Sequence, residues 1–242
     1  MAGGRLGVKA GPRFGAGRPP RYPALMTEED LRREIIARCR EMNRLGINQG
    51  TSGNISARVA DAMLVTPTAT DYDLLAPDML ARMPLDAPDG AYEGPRQPSS
   101  EWRFHRDIYR ARPEVGAIVH THATYATIFS MLRRPLVATH YMIAAFGGPD
   151  VRCTDYAPYG TPELSALAVE GLRDRTAVLL GSHGMIAVGA DLAEAMWRAV
   201  ELETLAKMTH LALAIGTPVV LPDDEIARTV ERFKGYGLQK KS

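Results

Sequence analysis

The chain has 242 residues, 45% of them hydrophobic and 24% charged, enough to bury a substantial core in one large α/β domain or two small ones. Its 29 Lys and Arg stand against 28 Asp and Glu, so the net charge of +1 gives no reason to expect nucleic acid or an anionic membrane as a partner. No apolar run approaches the roughly 20 residues that span a bilayer, and two cysteines without a CxxC spacing point to free thiols in a reducing cytoplasm.

Residues 1–25 differ in kind from the rest: five basic residues, no acid, many Gly and Pro, and no apolar core of a secretory signal. They read as a disordered basic extension ahead of a domain over 26–242. From Thr27, the spacing of Leu31, Ile35, Ile36, Cys39 and Met42 predicts a helix with acids in its first turn and Gly46 as its stop. The loop "INQGTSGNISARV" runs into a strand, and "AMLVTP" (62–67) is its hairpin partner. A loop with a helical turn follows, then a Pro-, Gly- and Asp-rich connector over 83–98. Ser99 or Ser100 can cap a helix "EWRFHRDIYRAR" that ends before Pro113.

Next comes "VGAIVHTHA", an apolar strand over 115–122, and a helix near 124–132. "LVATHYMIAAFGG" carries no decisive period. Thr161 and Pro162 open a helix, "TAVLLGSHG" is a buried strand, and "MIAVG" is its hairpin mate. Asp191 with Glu194 starts a long helix over 192–215. Strands and helices mix without strict βαβ alternation, so a sheet of antiparallel hairpins covered by helices is expected.

Side chains two apart on a strand share a face, so His120 and His122 can aim at one point. His183, again at the end of an apolar strand, would make a third imidazole. Three neutral nitrogen ligands suit zinc and related ions, and three protein ligands with an open position is the catalytic pattern. Glu101 opens a helix beside Ser99 and Ser100, which suits either a favourable helix-terminal charge or a general base. His105, four residues on, could pair with it. Thr51–Asn54, Thr66–Thr68 and Ser99–Ser100 offer hydroxyl and amide groups on loops, although neither GxxxxGK[ST] nor GxGxxG is present.

Together "GTSGNIS", "TPT", "PSSEWRFHRDIY", "VHTHA", "HYMIAAFGG" and "SHGMIAVG", with the closing "FKGYGL", resemble the class II aldolase/adducin family, and within it the L-fuculose-1-phosphate aldolases. The resemblance implies a single α/β domain with a central, mostly antiparallel sheet and helices on both faces, assembled as a homotetramer with active sites between subunits. It implies Zn2+ or another divalent ion on His120, His122 and His183, with Glu101 as acid/base and as a ligand when no substrate is present. Gly53, Asn54, Thr68, Ser99 and Ser100 match phosphate-binding positions, and Tyr141 matches a proton donor that reaches across from a neighbouring subunit. Phe233 and Tyr236 match tail residues at that interface, and Tyr159 faces the aldehyde. Two departures stand out: Ala69 where such aldolases usually carry Gly, and Tyr159 in place of Phe. The implied reaction is reversible cleavage of a ketose 1-phosphate to dihydroxyacetone phosphate and an aldehyde. L-fuculose, 5-deoxypentulose and methylthioribulose 1-phosphates are the candidate substrates. A 4-epimerase, a dehydratase, a sugar-acid phosphate decarboxylase and a non-enzymatic adducin-like binding protein are the alternatives on this scaffold.

Overall fold

The structure, a computed structural model, describes residues 26–233; the basic extension over 1–25 and Tyr236 lie outside them. Helix α1 (Glu28–Arg44) begins with a capping box in which Thr27 and Asp30 satisfy each other's backbone N–H. It buries Leu31, Ile35, Ile36, Cys39 and Met42, the face its sequence period marks. Gly46 then turns the chain at φ +72°, where only a residue without Cβ is unstrained. Strands β1 (Asn54–Val59) and β2 (Ala62–Val65) form the expected hairpin, and β3 (Ala81–Pro84) adds beyond β2.

Helix α2 (Trp102–Ala111) starts one residue later than its sequence suggests, and Glu101 occupies the N-cap position. The Ser99 hydroxyl accepts the Glu101 N–H at 3.2 Å, which ties the acid to the entering loop. Then follow β4 (Ala117–Thr121), α3 (Thr124–Met131), the two-residue strands β5 (Leu136–Val137) and β6 (Asp150–Val151), α4 (Pro162–Gly171), β7 (Ala177–Leu180), β8 (Gly184–Gly189), α5 (Leu192–Ile215) and α6 (Asp223–Phe233). The segment without a decisive period, around 136–148, contains β5 and a 3-10 helix over Tyr141–Phe146. Two expectations shift here. His122 lies one residue past β4, and His183 sits in the turn between β7 and β8 rather than on a strand.

Six strands make one fully antiparallel sheet in the order β3-β2-β1-β4-β8-β7. Period-two alternation sorts their side chains onto two faces. Ile118, Ile186 and Val188 face α2 and α4, whereas Ile55, Val119 and Ala187 face α1, α3 and α5. The result is three layers, helices on sheet on helices. Each fully buried Ile, Val or Phe in these faces contributes roughly 1.5–3 kcal/mol. The central strands β1 and β4, walled in on both sides, are therefore the rigid part of the molecule. In their register Asn54 lies opposite His120.

Helix α3 has no side-chain cap of its own; its N-cap position is Ala123. Glu203 of α5 supplies one instead, its carboxylate accepting the N–H groups of Tyr125 at 2.9 Å and Ala126 at 2.8 Å. Because α3 begins two residues after His122, this long-range cap also fixes the exit of the chain from the site. Among the described residues no helix is long and apolar enough to cross a membrane.

Candidate metal centre and active site

His120 ends the run of side chains on the α2-facing side of β4 and is wholly buried. Its Nδ1 lies 2.9 Å from the Met185 carbonyl oxygen, which can only accept, so Nδ1 carries the proton and Nε2 presents a lone pair. His122 follows on the same side. His183 is delivered by the β7–β8 turn, where Ser182 adopts φ +52° and Gly184 passes so close that a Cβ would meet the Thr121 carbonyl at 2.7 Å and the His122 ring at 2.9 Å. The three rings stand edge to face, with centroids 4.9 to 5.1 Å apart.

One ring nitrogen from each lies within 4.8 Å of the others. Glu101 completes the set: its carboxylate oxygens come within 3.1 Å of His120 Nε2 and 3.2 Å of His183 Nε2. These approaches are not hydrogen bonds, since Glu101 Oε1 and the Nε2 atoms of His120 and His122 have no hydrogen-bond partner despite full burial. Buried lone pairs facing one another at that distance repel unless a cation sits between them. Zinc–ligand bonds of about 2.0–2.1 Å put the donors of a tetrahedron roughly 3.4 Å apart, close to the separations of Glu101 from His120 and His183. The donor set and its spacing therefore fit a divalent ion.

The electrostatics agree. Burial pushes the imidazole pKa values of His122 and His183 down to about 4, aided by the proximity of His120, so both rings are neutral ligands at pH 7. Burial alone would raise the Glu101 pKa. The imidazoles of His120 and His183 and a hydrogen bond from Asn54 outweigh it and hold the carboxyl down at about 2.

The other expected residues fall into two groups. Gly53 precedes β1 where a Cβ would strike the His120 carbonyl at 2.6 Å and Asn48 Oδ1 at 2.7 Å, so the loop can approach β4 only with glycine there. The Asn54 side-chain amide is committed to Glu101 Oε2 at 3.0 Å and to His105 Nε2 at 2.5 Å. His105 therefore reaches Glu101 through Asn54 and not directly. Thr68 and Ser99 are brought together by pairing of their loops: the Thr68 N–H donates to Gln97 O and the Ser99 N–H to Thr66 O, with a β-bridge between Pro67 and Pro98. Ser100, Glu101, His122, His183 and Tyr159 line one cleft of about 390 Å³, together with Ser52, Tyr156, Ala157 and Ser182. That is room for a small phosphorylated sugar.

Tyr141 and Phe233 line a different cavity, with Met142, Glu225, Thr229 and Arg232, and Tyr141 is 53% exposed. Neither is among the described residues that line the cleft of Glu101.

Sequence reasoning missed Asn48, Ser182, Tyr156 and Glu203. Asn48 is buried, donates to Asn43 and Gly50, and accepts from Ser52 and Thr121, stitching the glycine loop to the end of β4. An Asn among small residues in a loop is its only sequence trace.

Residues 33–210 match the model of the class II aldolase and adducin N-terminal domain. An L-fuculose phosphate aldolase of Escherichia coli O6:H1 is 48% identical over 215 residues, covering 88% of this chain and 99% of the relative. A 5-methylthioribulose-1-phosphate/5-deoxyribulose-1-phosphate aldolase of Rhodospirillum rubrum is 46% identical over 207 residues, covering 86% of this chain and 92% of that one. A solved L-fuculose 1-phosphate aldolase superimposes with a TM-score of 0.82 at 38% identity, covering 88% of this chain and all of the other. With the three-layer fold and the histidine cluster, these matches make the chain a member of the class II aldolase/adducin family.

Proposed function

We propose that the protein is a divalent-metal-dependent aldolase, a carbon–carbon lyase. It reversibly cleaves a ketose 1-phosphate, L-fuculose 1-phosphate or a related 5-deoxypentulose or methylthioribulose 1-phosphate, into dihydroxyacetone phosphate and an aldehyde. The observation that carries this reading is the convergence of His120, His122, His183 and Glu101 on one point at the floor of an open cleft. Among the described residues no lysine lines that cleft to form a Schiff base.

His120, His122 and His183 would hold Zn2+ or another divalent ion, one per subunit. When bound, the ion supplies Lewis-acid polarisation of the substrate ketone. Glu101 holds or moves the proton at C3 of the dihydroxyacetone phosphate half, with Oε1 free of hydrogen bonds and Oε2 tethered by Asn54. Gly53, Asn54, Thr68, Ser99 and Ser100 bind the phosphate, fixing the reacting carbons against Glu101. Their loops adjoin Glu101, since Ser99 takes its N–H. Tyr141 protonates the C4 oxygen from a neighbouring subunit of a homotetramer, a role supported by its exposure and its place in a cavity other than its own chain's cleft. Phe233 and Tyr236 accompany it, and Tyr159 contacts the aldehyde. Free Cys39 and Cys153 suit a cytoplasmic enzyme.

The test is condensation. Zinc-loaded protein incubated with dihydroxyacetone phosphate and lactaldehyde, acetaldehyde or methylthioacetaldehyde should form phosphorylated ketoses, and the rates rank the aldehydes. Chelation should abolish the product, and His122→Ala should lose bound metal while remaining folded. Absence of condensation with every aldehyde, or full turnover without metal, refutes the reading.

A further inference from the structure

Behind Glu101 and Asn54 lie three buried polar groups, His105, Ser56 and Tyr109, that the proposed chemistry does not use. Glu101 at the N-cap of α2 and His105 and Tyr109 within it are spaced by four. Asn54 and Ser56 are spaced by two along β1 and share the strand face that meets the helix. Where helix and strand meet, four hydrogen bonds run in series: Asn54 Nδ2 to Glu101 Oε2 at 3.0 Å, His105 Nε2 to Asn54 Oδ1 at 2.5 Å, His105 Nδ1 to Ser56 Oγ at 2.7 Å, and Ser56 Oγ to Tyr109 OH at 2.9 Å. His105 and Ser56 are fully buried and Tyr109 is 1% exposed.

The direction of each bond follows from its neighbour. A carboxylate oxygen accepts, so the Asn54 amide turns its NH2 to Glu101 and its oxygen to His105. That oxygen needs a donor, so His105 carries its proton on Nε2. Burial keeps the ring neutral, so Nδ1 is an acceptor. Ser56 must then donate to Nδ1, and its oxygen accepts from Tyr109. All four protons point toward Glu101. The far end is pinned as well: the Arg58 guanidinium lies 4.8 Å from the centre of the Tyr109 ring and donates to the Tyr109 carbonyl.

We infer that His105, Ser56 and Tyr109 form a one-way hydrogen-bond relay that acts through Asn54 to fix the Glu101 carboxylate. It engages Oε2 and leaves Oε1 for the reacting proton. These are positioning residues, and their contribution to rate rests on Glu101 being the base in the function proposed above. Bonds aligned in series polarise one another, so the relay also steadies the carboxylate as its charge changes.

Two measurements on the zinc-loaded full-length protein test this. The first reads the wild type itself: 15N-histidine NMR, with the His105 signals assigned by their loss in His105→Gln. The relay requires the Nε2–H tautomer with a slowly exchanging, downfield proton, and an Nδ1–H tautomer overturns it. The second is Ser56→Ala, which leaves His105 Nδ1 a buried acceptor without a donor. The exchange of the C3 proton of dihydroxyacetone phosphate in D2O should fall at least tenfold in kcat, with KM and zinc content held. Wild-type exchange, or a change confined to KM, overturns the relay. If Ser56→Ala does not fold, the tautomer alone decides. If wild-type protein exchanges no C3 proton at all, the proposed function fails, and the tautomer still judges the relay.

Discussion

Ala69 sits at φ +47°, in the left-handed region. It lies at the tip of the turn whose flank is pinned by the Thr68 N–H to Gln97 O, and the residue itself is exposed. A Cβ there crowds the backbone at a cost of about 1–2 kcal/mol. Ala69→Gly removes that strain and adds freedom to the unfolded chain, which costs about 0.5–1 kcal/mol. The balance predicts a net gain of about 0.5–1 kcal/mol, in contrast to the usual destabilisation when alanine becomes glycine. For a domain of this size that corresponds to a rise in Tm of roughly 1–4 °C. Urea unfolding of the two proteins at equal concentration should show a higher midpoint for Ala69→Gly with an unchanged slope. A loss of about 0.5–1 kcal/mol instead, the value for an ordinary backbone conformation, would mean that residue 69 is not left-handed in solution.

Two further expectations follow from buried charges. In the folded metal-free protein the pKa values of His122 and His183 are near 4 and that of His105 is near 3, against about 6.5 unfolded. The unfolded chain therefore binds more protons below pH 6.5. Stability should be greatest above that pH and fall continuously toward pH 4, and Glu101 adds a loss of the same sign once pH drops below about 4.5. Urea midpoints of EDTA-treated protein at pH 7, 6 and 5 that stay level or rise would contradict this. Glu203→Ala strips the cap from α3 and should cost on the order of 1–2 kcal/mol. It should also weaken zinc binding through the freed chain after His122, as measured by competition with a chromogenic chelator. An unchanged Tm and zinc affinity would show that the cap is idle.

Contacts close along the chain are legible without the fold, because helices and hairpins are written in periods of 3.6 and 2. Thr161 before Pro162 and Asp191 with Glu194 both cap where their spacing says they should. The β1–β2 and β7–β8 hairpins stand where turn residues separate apolar runs. Family membership was legible for the same reason, through short motifs in a fixed order. Less of the 136–151 region could be read, since β5 and β6 are only two residues each and exist through their pairing with one another.

What the sequence by itself determined was the inventory: which side chains share a face of β1, β4 or α2, and so which could act together. Only the tertiary structure decided which of those faces meet. The antiparallel placement of β4 between β1 and β8 sets Asn54 opposite His120 and brings the His183 turn alongside. The docking of α2 on β1 turns a helical i, i+4 spacing of Glu101 and His105 into a bond through Asn54. Such pairings depend on sheet order and register between residues 47 to 66 apart in the chain. They are set by the burial of whole faces, and no local period encodes that.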